Sequence, residues 1–441
     1  MKTREILLAA LIIAAGVFVY YAQTGRLDFG GDGDVGIFFG RGEEFTFEES
    51  REIDAPLPRE IEVMNSHGSV EIEGTETDKI SVSFKKTIYR RNQGEARKVA
   101  GQLKMVVNRE EPRLILATNR DDFRRKNFET HFRLSVPKGM PVLIKNSYGP
   151  VKASGTGKTD IANSHGEVET SETAGPLIID SSYEDVVVRG SQADCQITSR
   201  HADVSVGRVQ GELLIEHSYG EISLEDVNQK IKIDGAHSAV TGKNLKGDIE
   251  VGTSYEPISL TDAGPAKVRS HHSDIEARRI NGPLEIEDTH ARLRLDDVKG
   301  KLRVQGADLE ISAGGVLAED VWISSSYDNV RILNFTGKTT VLLAHGDLTL
   351  EPESVAGPID VEATYSNIRF LWPAGEKFPF EARAKSGSIV WGLSDPPSLE
   401  QRDHESVARA YGDETGKPAV KLSTTYGDIR VEPKSGAAKT I

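Results

Sequence analysis

Eleven histidines and eleven tyrosines are the residues of this chain best suited to chemistry, and most of them keep a schedule. One set runs Tyr148, Tyr183, Tyr219, Tyr255, His290, Tyr327 and Tyr365, at steps of 35 to 38 residues. Midway between them runs a second: His165, His201, His237, His272, Asp308 and His345. A row of imidazoles at strand spacing could hold a transition metal or titrate near pH 6. A metal site, however, needs three or four convergent ligands with supporting partners, and Asp308 interrupts the row. The reading adopted is a structural ladder of Tyr148, Tyr183, Tyr219, Tyr255, Tyr327 and Tyr365 with His165, His201, His237, His272 and His345, with no metal and no cofactor. Carboxylate chemistry fares no better. A glycosidase needs an acid pair beside a cleft, and clefts in repeat proteins come from long insertions. The markers stay close to 18 residues apart, so no insertion is long enough to wall a groove. Cys195 falls on an inward position and reads as a core residue. Gly30-Gly31-Asp32-Gly33-Asp34 looks like one turn of a calcium-binding array, but such arrays need stacked copies, and a flexible linker is expected.

The elements that position these residues follow from the flanks. Around Tyr219 the apolar residues are Leu213, Ile215, Ile222 and Leu224. Tyr183, Tyr255, His290, Tyr327 and Tyr365 carry the same pattern at −6, −4, +3 and +5. A step of two keeps both side chains on one strand face. The step of seven across the marker is odd, so the chain must bend there, where Ser, Gly, Asp and Asn gather. A second gap of seven, Leu224 to Ile231, marks a second corner. Each unit of about 18 residues is two short strands and two corners, unable to stand without stacked neighbours. The fold expected is an all-β parallel β-solenoid. A hexapeptide helix would need an inward apolar residue every six positions, and a propeller would need longer blades. The alternation of two marker types favours a coil of about 36 residues over one of 18, with Tyr stacked on Tyr and His on His. That predicts about six and a half coils, a stack on the order of 30 Å, and acid sensitivity from imidazoles stacked on imidazoles.

Five segments emerge. Residues 1–23 form a transmembrane anchor or a signal segment: Lys2 and Arg4 precede an apolar run from Ile6 to Ala22, and Asp28, Asp32 and Asp34 follow it. The run lies at the short end of the spanning range, and the basic flank places the body on the exported side. A cleaved signal peptide is the competing reading. Residues 24–50 read as a linker and 51–140 as an N-terminal β-rich cap with a short helix at 95–102. Residues 141–370 are the solenoid repeats. Residues 371–441 are an irregular C-terminal cap, with a possible helix at 399–411 and a last repeat around Thr425-Tyr426-Gly427. Within the first cap lies a basic group: Lys85, Lys86, Arg90, Arg91, Arg120, Arg124, Arg125 and Lys126. It is either a solvated face or a site for an anionic partner. The whole chain carries a net charge of −14, which gives no reason to bind nucleic acid.

The unit of strand, Ser/Asn-x-Gly and strand, the entry Val136-Pro-Lys-Gly139, and the closing Thr425-Tyr-Gly-Asp-Ile-Arg-Val431 resemble bacterial exported β-strand-repeat proteins of unknown function, an adhesin-labelled family. The resemblance spans roughly 58–433. It implies a β-solenoid, an exported location and no assigned active site. The function expected is that of a non-enzymatic cell-envelope scaffold or binding protein, held in the inner membrane by a single pass, with its body periplasmic or extracellular. An envelope protein or a glycan is the expected partner. A carbohydrate-active β-helix enzyme is the alternative.

Overall fold

A computed structural model of the chain describes residues 42–412 and 415–434. The expected anchor, 1–23, and most of the expected linker lie outside the described residues. Among the described residues, no helix is long and apolar enough to cross a membrane.

Alternating inward residues build a parallel β-solenoid of about 13 turns. The register fixes the coil at 18 residues. Ile161 pairs with Ile179, Ile179 with Ile197, Ile197 with Ile215, and Ile215 with Ile233 on one sheet. Val168, Val186, Val204 and Ile222 pair in the same way on the other. Residues at −6, −4, +3 and +5 fill one continuous apolar core, and Ile215 and Ile222 are wholly buried. The 36-residue coil is therefore corrected. Two strands and two corners already close a turn, so each unit stacks directly on the next. The stack is on the order of 60 Å at strand spacing, twice the expected height.

Both ends are interleaved. At the N-terminal end β1 (Glu43–Ile53) begins inside the segment read as linker. There follow β2 (Glu60–Met64), β3 (Val70–Thr75), β4 (Ile80–Arg90), a helix (Gln93–Gln102), β5 (Met105–Glu110), β6 (Arg113–Thr118), β7 (Phe128–Pro137), β8 (Val142–Tyr148) and β9 (Val151–Ser154). β2 lies between β6 and β8, and β3 between β7 and β9. The first coil in sequence is thus the second in space. β1 and β7 flank β4 antiparallel, and the helix lays Ala96 and Ala100 against Ile88, Leu103 and Phe128. Asn92 caps that helix by accepting the Glu95 N–H at 2.9 Å.

The C-terminal end repeats the device. Val420–Thr424 sits between Ile359–Ala363 and Phe380–Lys385. Ile429–Pro433 sits between Ile368–Trp372 and Ile389–Trp391. The expected helix at 399–411 is an antiparallel hairpin, Ser398–Arg402 against Glu405–Ala410. Its second strand pairs with Phe380–Lys385, whose outer edge would otherwise expose unpaired backbone. Edge pairing outweighs helix propensity there.

Candidate binding edge

From Tyr183 to Asp308, and again at Tyr365, the marker residue itself turns the corner through the left-handed region; at Tyr148, His165, Tyr327 and His345 the next residue, Gly149, Gly166, Asp328 or Gly346, makes that turn. Tyr183 has φ 71°, His201 56°, Tyr219 61°, His237 52°, Tyr255 69° and His272 61°. Such values are uncommon outside Gly, Asn and Asp, and bulky side chains resist them. The second corner supplies a comparison within the same molecule. It makes the same left-handed turn with Glu172, Gly190, Arg208, Asp226, Asn244, Asp262, Arg279 and Asp297. Most of these are short polar residues or glycine, the types the geometry favours. The backbone of the first corner therefore does not ask for aromatic rings; something about the rings themselves must be used there.

An 18-residue coil places the two marker sets on one edge, so Tyr stacks on His. Tyr148 and His165 lie 4.6 Å apart between centroids, His165 and Tyr183 4.8 Å, His201 and Tyr219 4.9 Å, Tyr219 and His237 5.1 Å, and His237 and Tyr255 5.0 Å. Within these five pairs the interplanar angle never exceeds 15°. Tyr183 and His201 are looser at 5.8 Å. The expected Tyr-on-Tyr and His-on-His ladders are thus corrected to one mixed ladder. His67 of the interleaved first coil extends it against Tyr148. Tyr255, His272 and His290 continue it. It pauses at Asp308, whose carboxylate meets the His290 Nε2 at 2.8 Å. It resumes through Tyr327, His345, Tyr365 and Tyr426. All eleven expected ladder residues join it.

The ladder shows its edges to solvent and hides its faces. Tyr183, Tyr219, Tyr255 and Tyr365 are each more than half exposed. None of the ladder tyrosine hydroxyls has a hydrogen-bond partner among the described residues, whereas those of Tyr89 and Tyr411 do. A row of carboxylates and amides runs beside the rings, two residues after the marker. Asp185 accepts the Asp203 N–H at 3.1 Å, and Asp203 accepts the Glu221 N–H at 2.8 Å. Asp274 accepts the Arg292 N–H at 3.0 Å. These bonds tie rung to rung and fix the edge.

Behind the corner runs a buried polar row. The side-chain amides of Asn65, Asn146 and Asn163 donate to the carbonyls of Gly68, Gly149 and Gly166. Further along the same position holds His217 and Asp288, which sequence reasoning missed. His217 Nε2 donates to the Ala202 carbonyl at 2.7 Å and its Nδ1 meets Ser238 Oγ at 2.8 Å. Burial pushes this imidazole below its ordinary value, against an upward pull from the Ala202 carbonyl. Burial raises the Asp288 carboxyl, against hydrogen bonds from Ser270 and the Thr289 N–H. In each case the next rung carries a glycine, Gly235 or Gly306. A Cβ on Gly306 would stand 1.8 Å from the Asp288 carbonyl oxygen. The signal available in the sequence was a polar residue two before the marker with Gly 18 later.

The other candidates lose ground. Of the basic group, Lys86 is buried, pairs with Glu49 and donates to the Ala100 carbonyl at 3.0 Å. Arg120 is buried and donates to the carbonyls of Phe128 and Lys126. A cavity of about 490 Å³ near the N-terminal cap is lined by Asp121, Asp180, Arg120 and Lys145 among others. Asp121 is held low by its hydrogen bond from Lys126, the wrong direction for a general acid. Cys195 is buried, and its thiol is pushed up to about 12 by burial, so it is inert at neutral pH. Among the described residues no group of three His, Cys, Asp or Glu side chains could hold a metal.

Comparison with known proteins gives three results. Residues 237–432 match the family described as Toastrack DUF4097. No curated protein matches the chain. A solved structure from Clostridium sporogenes ATCC 15579, described as a "putative cell adhesion protein", aligns over 88% of this chain and 100% of its own, at 9% identity and a TM-score of 0.18.

Proposed function

For a chain whose residues 237–432 match the family described as Toastrack DUF4097, we propose the role of a non-enzymatic binding scaffold of the cell envelope. The observation that carries this reading is the aromatic edge. From Tyr183 to His290, and at Tyr365, rings occupy a left-handed position that glycine or asparagine would take at lower strain, and the tyrosine hydroxyls are left to solvent. Regular exposed arrays on repeat proteins are binding surfaces more often than catalytic ones. In the cavity near the N-terminal cap, Asp121 is held low by its hydrogen bond from Lys126, which does not suit a general acid. The envelope location rests on Lys2, Arg4 and the apolar run that follows them.

The test is a photo-crosslinking amino acid placed in membranes of the producing cell at Arg200, beside the ladder, and in a second strain at Lys243, beside the other corner. The expected outcome is a discrete adduct from position 200 and none from 243, with the protein in the membrane fraction and its body open to external protease after outer layers are removed. Equal labelling from both corners, or a body sealed in the cytoplasm, would overturn the proposal.

A further inference from the structure

We infer that the aromatic edge is a binding track for an uncharged, extended β-1,4-linked glycan, registered two sugars to each Tyr–His pair. This rests on the scaffold reading and names its ligand.

Three features carry it. The first is period. Tyr219 to His237 is 5.1 Å and His237 to Tyr255 is 5.0 Å, hence one tyrosine about every 10 Å along the ring stack. In an extended β-1,4-linked chain each sugar is turned over relative to the last, so the chemical repeat is two sugars, and each sugar advances about as far as one rung. A tyrosine hydroxyl thus meets the same sugar edge at every repeat, and an imidazole meets the alternate one.

The second is the chemistry of the exposed atoms. Ring faces are covered by neighbouring rings, so sugars cannot stack on them. What the edge offers is a line of free phenol hydroxyls and imidazole nitrogens. Beside them stand the small hydroxyls of Ser182, Ser218 and Ser254. These groups exchange hydrogen bonds with ring hydroxyls of a sugar. Each contact is weak because it replaces water, so affinity must accumulate along the track.

The third is charge. Within two residues of each marker from Tyr148 to Tyr255 there are six carboxylates and one guanidinium, Arg200. That surplus repels nucleic acid and phosphate-bearing or acidic polymers. It also repels a second copy of the same edge, because the carboxylate rows would face each other. An uncharged polyhydroxylated chain pays no such penalty.

The probe is a series of β-1,4-linked N-acetylglucosamine oligomers of two, four and six sugars, titrated calorimetrically into the full-length chain. α-1,4-linked glucose oligomers of equal length serve as control. Binding is expected to tighten several-fold with each added pair of β-linked sugars, while the control does not bind. A Tyr219→Phe, Tyr255→Phe variant keeps the ring stack and removes two hydroxyls. It should melt like the parent and bind the six-sugar oligomer ~10-fold more weakly, as loss of two hydrogen bonds implies. No binding of the six-sugar oligomer, affinity independent of length, or equal affinity of the Phe variant overturns the inference. A ladder-dependent protein adduct in membranes without glycan affinity would also overturn it, while leaving the scaffold reading standing.

Discussion

At the scale of single residues, pH behaviour rests on imidazoles lowered by burial in three places: His67 at the ladder's first rung, His131 in the N-terminal cap and His217 behind the corner. Acid sensitivity was expected from imidazole stacked on imidazole. In the structure most ladder histidines lie between tyrosines, and that premise fails. His67, His131 and His217 nonetheless have values lowered chiefly by burial. Folded, they bind protons more weakly than unfolded. Their contribution is present above about 6.5, the ordinary histidine value, and is lost as pH falls from there through their folded-state values. The melting temperature should therefore drop between pH 7 and pH 5. His217→Ser, which copies Ser181 and Ser199 at the equivalent position, should flatten that drop; an unchanged slope contradicts the assignment. Asp288 acts in the opposite sense, since its raised carboxyl favours the folded state as pH falls. Gly306→Ala should cost more than about 2 kcal/mol in chemical denaturation, because a backbone oxygen cannot step aside. A loss below half a kcal/mol would show that the rung yields.

At the scale of the strand and corner, inward pairs and turns divide the work. Ile215 lies fully buried between Ile197 and Ile233. Ile215→Asp should lower stability by about 4 kcal/mol or abolish folding, since it buries an unpaired charge. Unchanged melting would contradict the inward placement. The corners can be told apart by one substitution. Arg208→Gly relieves a left-handed residue and should be neutral or stabilising within about 1 kcal/mol. Tyr219→Gly relieves the same strain but removes two ring stacks, each contributing about 0.5–1.5 kcal/mol, and should destabilise. Equal effects at both corners would deny the ladder a structural role. Much of this layer was legible in the sequence. The −6, −4, +3, +5 pattern gave the strands, the inward residues and the marker corner directly. The identity of the second corner was hidden because Glu172, Gly190, Arg208, Asp226 and Asn244 have no side-chain type in common, only a backbone angle. The buried row was hidden because Asn163, Ser199, His217 and Asp288 look like ordinary surface residues until the corner folds over them.

At the scale of the whole molecule, coil length and end topology were the two features sequence could mislead on. Two marker types suggested two stacking partners. Stacking unlike rings serves equally well, and it is what an 18-residue turn requires. The interleaved ends leave no periodic trace, since β2 and Val420–Thr424 read as ordinary repeats and only their neighbours in space reveal the crossing. A consequence follows for truncation. In a simple solenoid, removing a terminal repeat exposes one surface. Here, removing residues 416–441 withdraws a rung from between two others and unpairs both. That deletion should bind a hydrophobic dye and melt well below the parent; a melting loss no larger than that of a surface substitution would contradict the interleaving.

The central claim is the mixed ladder itself, because the coil length, the exposed hydroxyls and the binding period all depend on it. Its most direct test is a nuclear Overhauser measurement on protein carrying carbon-13 in histidine and tyrosine rings only. Ring protons of His237 should show contacts to both Tyr219 and Tyr255, with none to His201 or His272. Contacts between His237 and His201, with none to tyrosine, would restore the 36-residue coil and remove the edge on which this account stands.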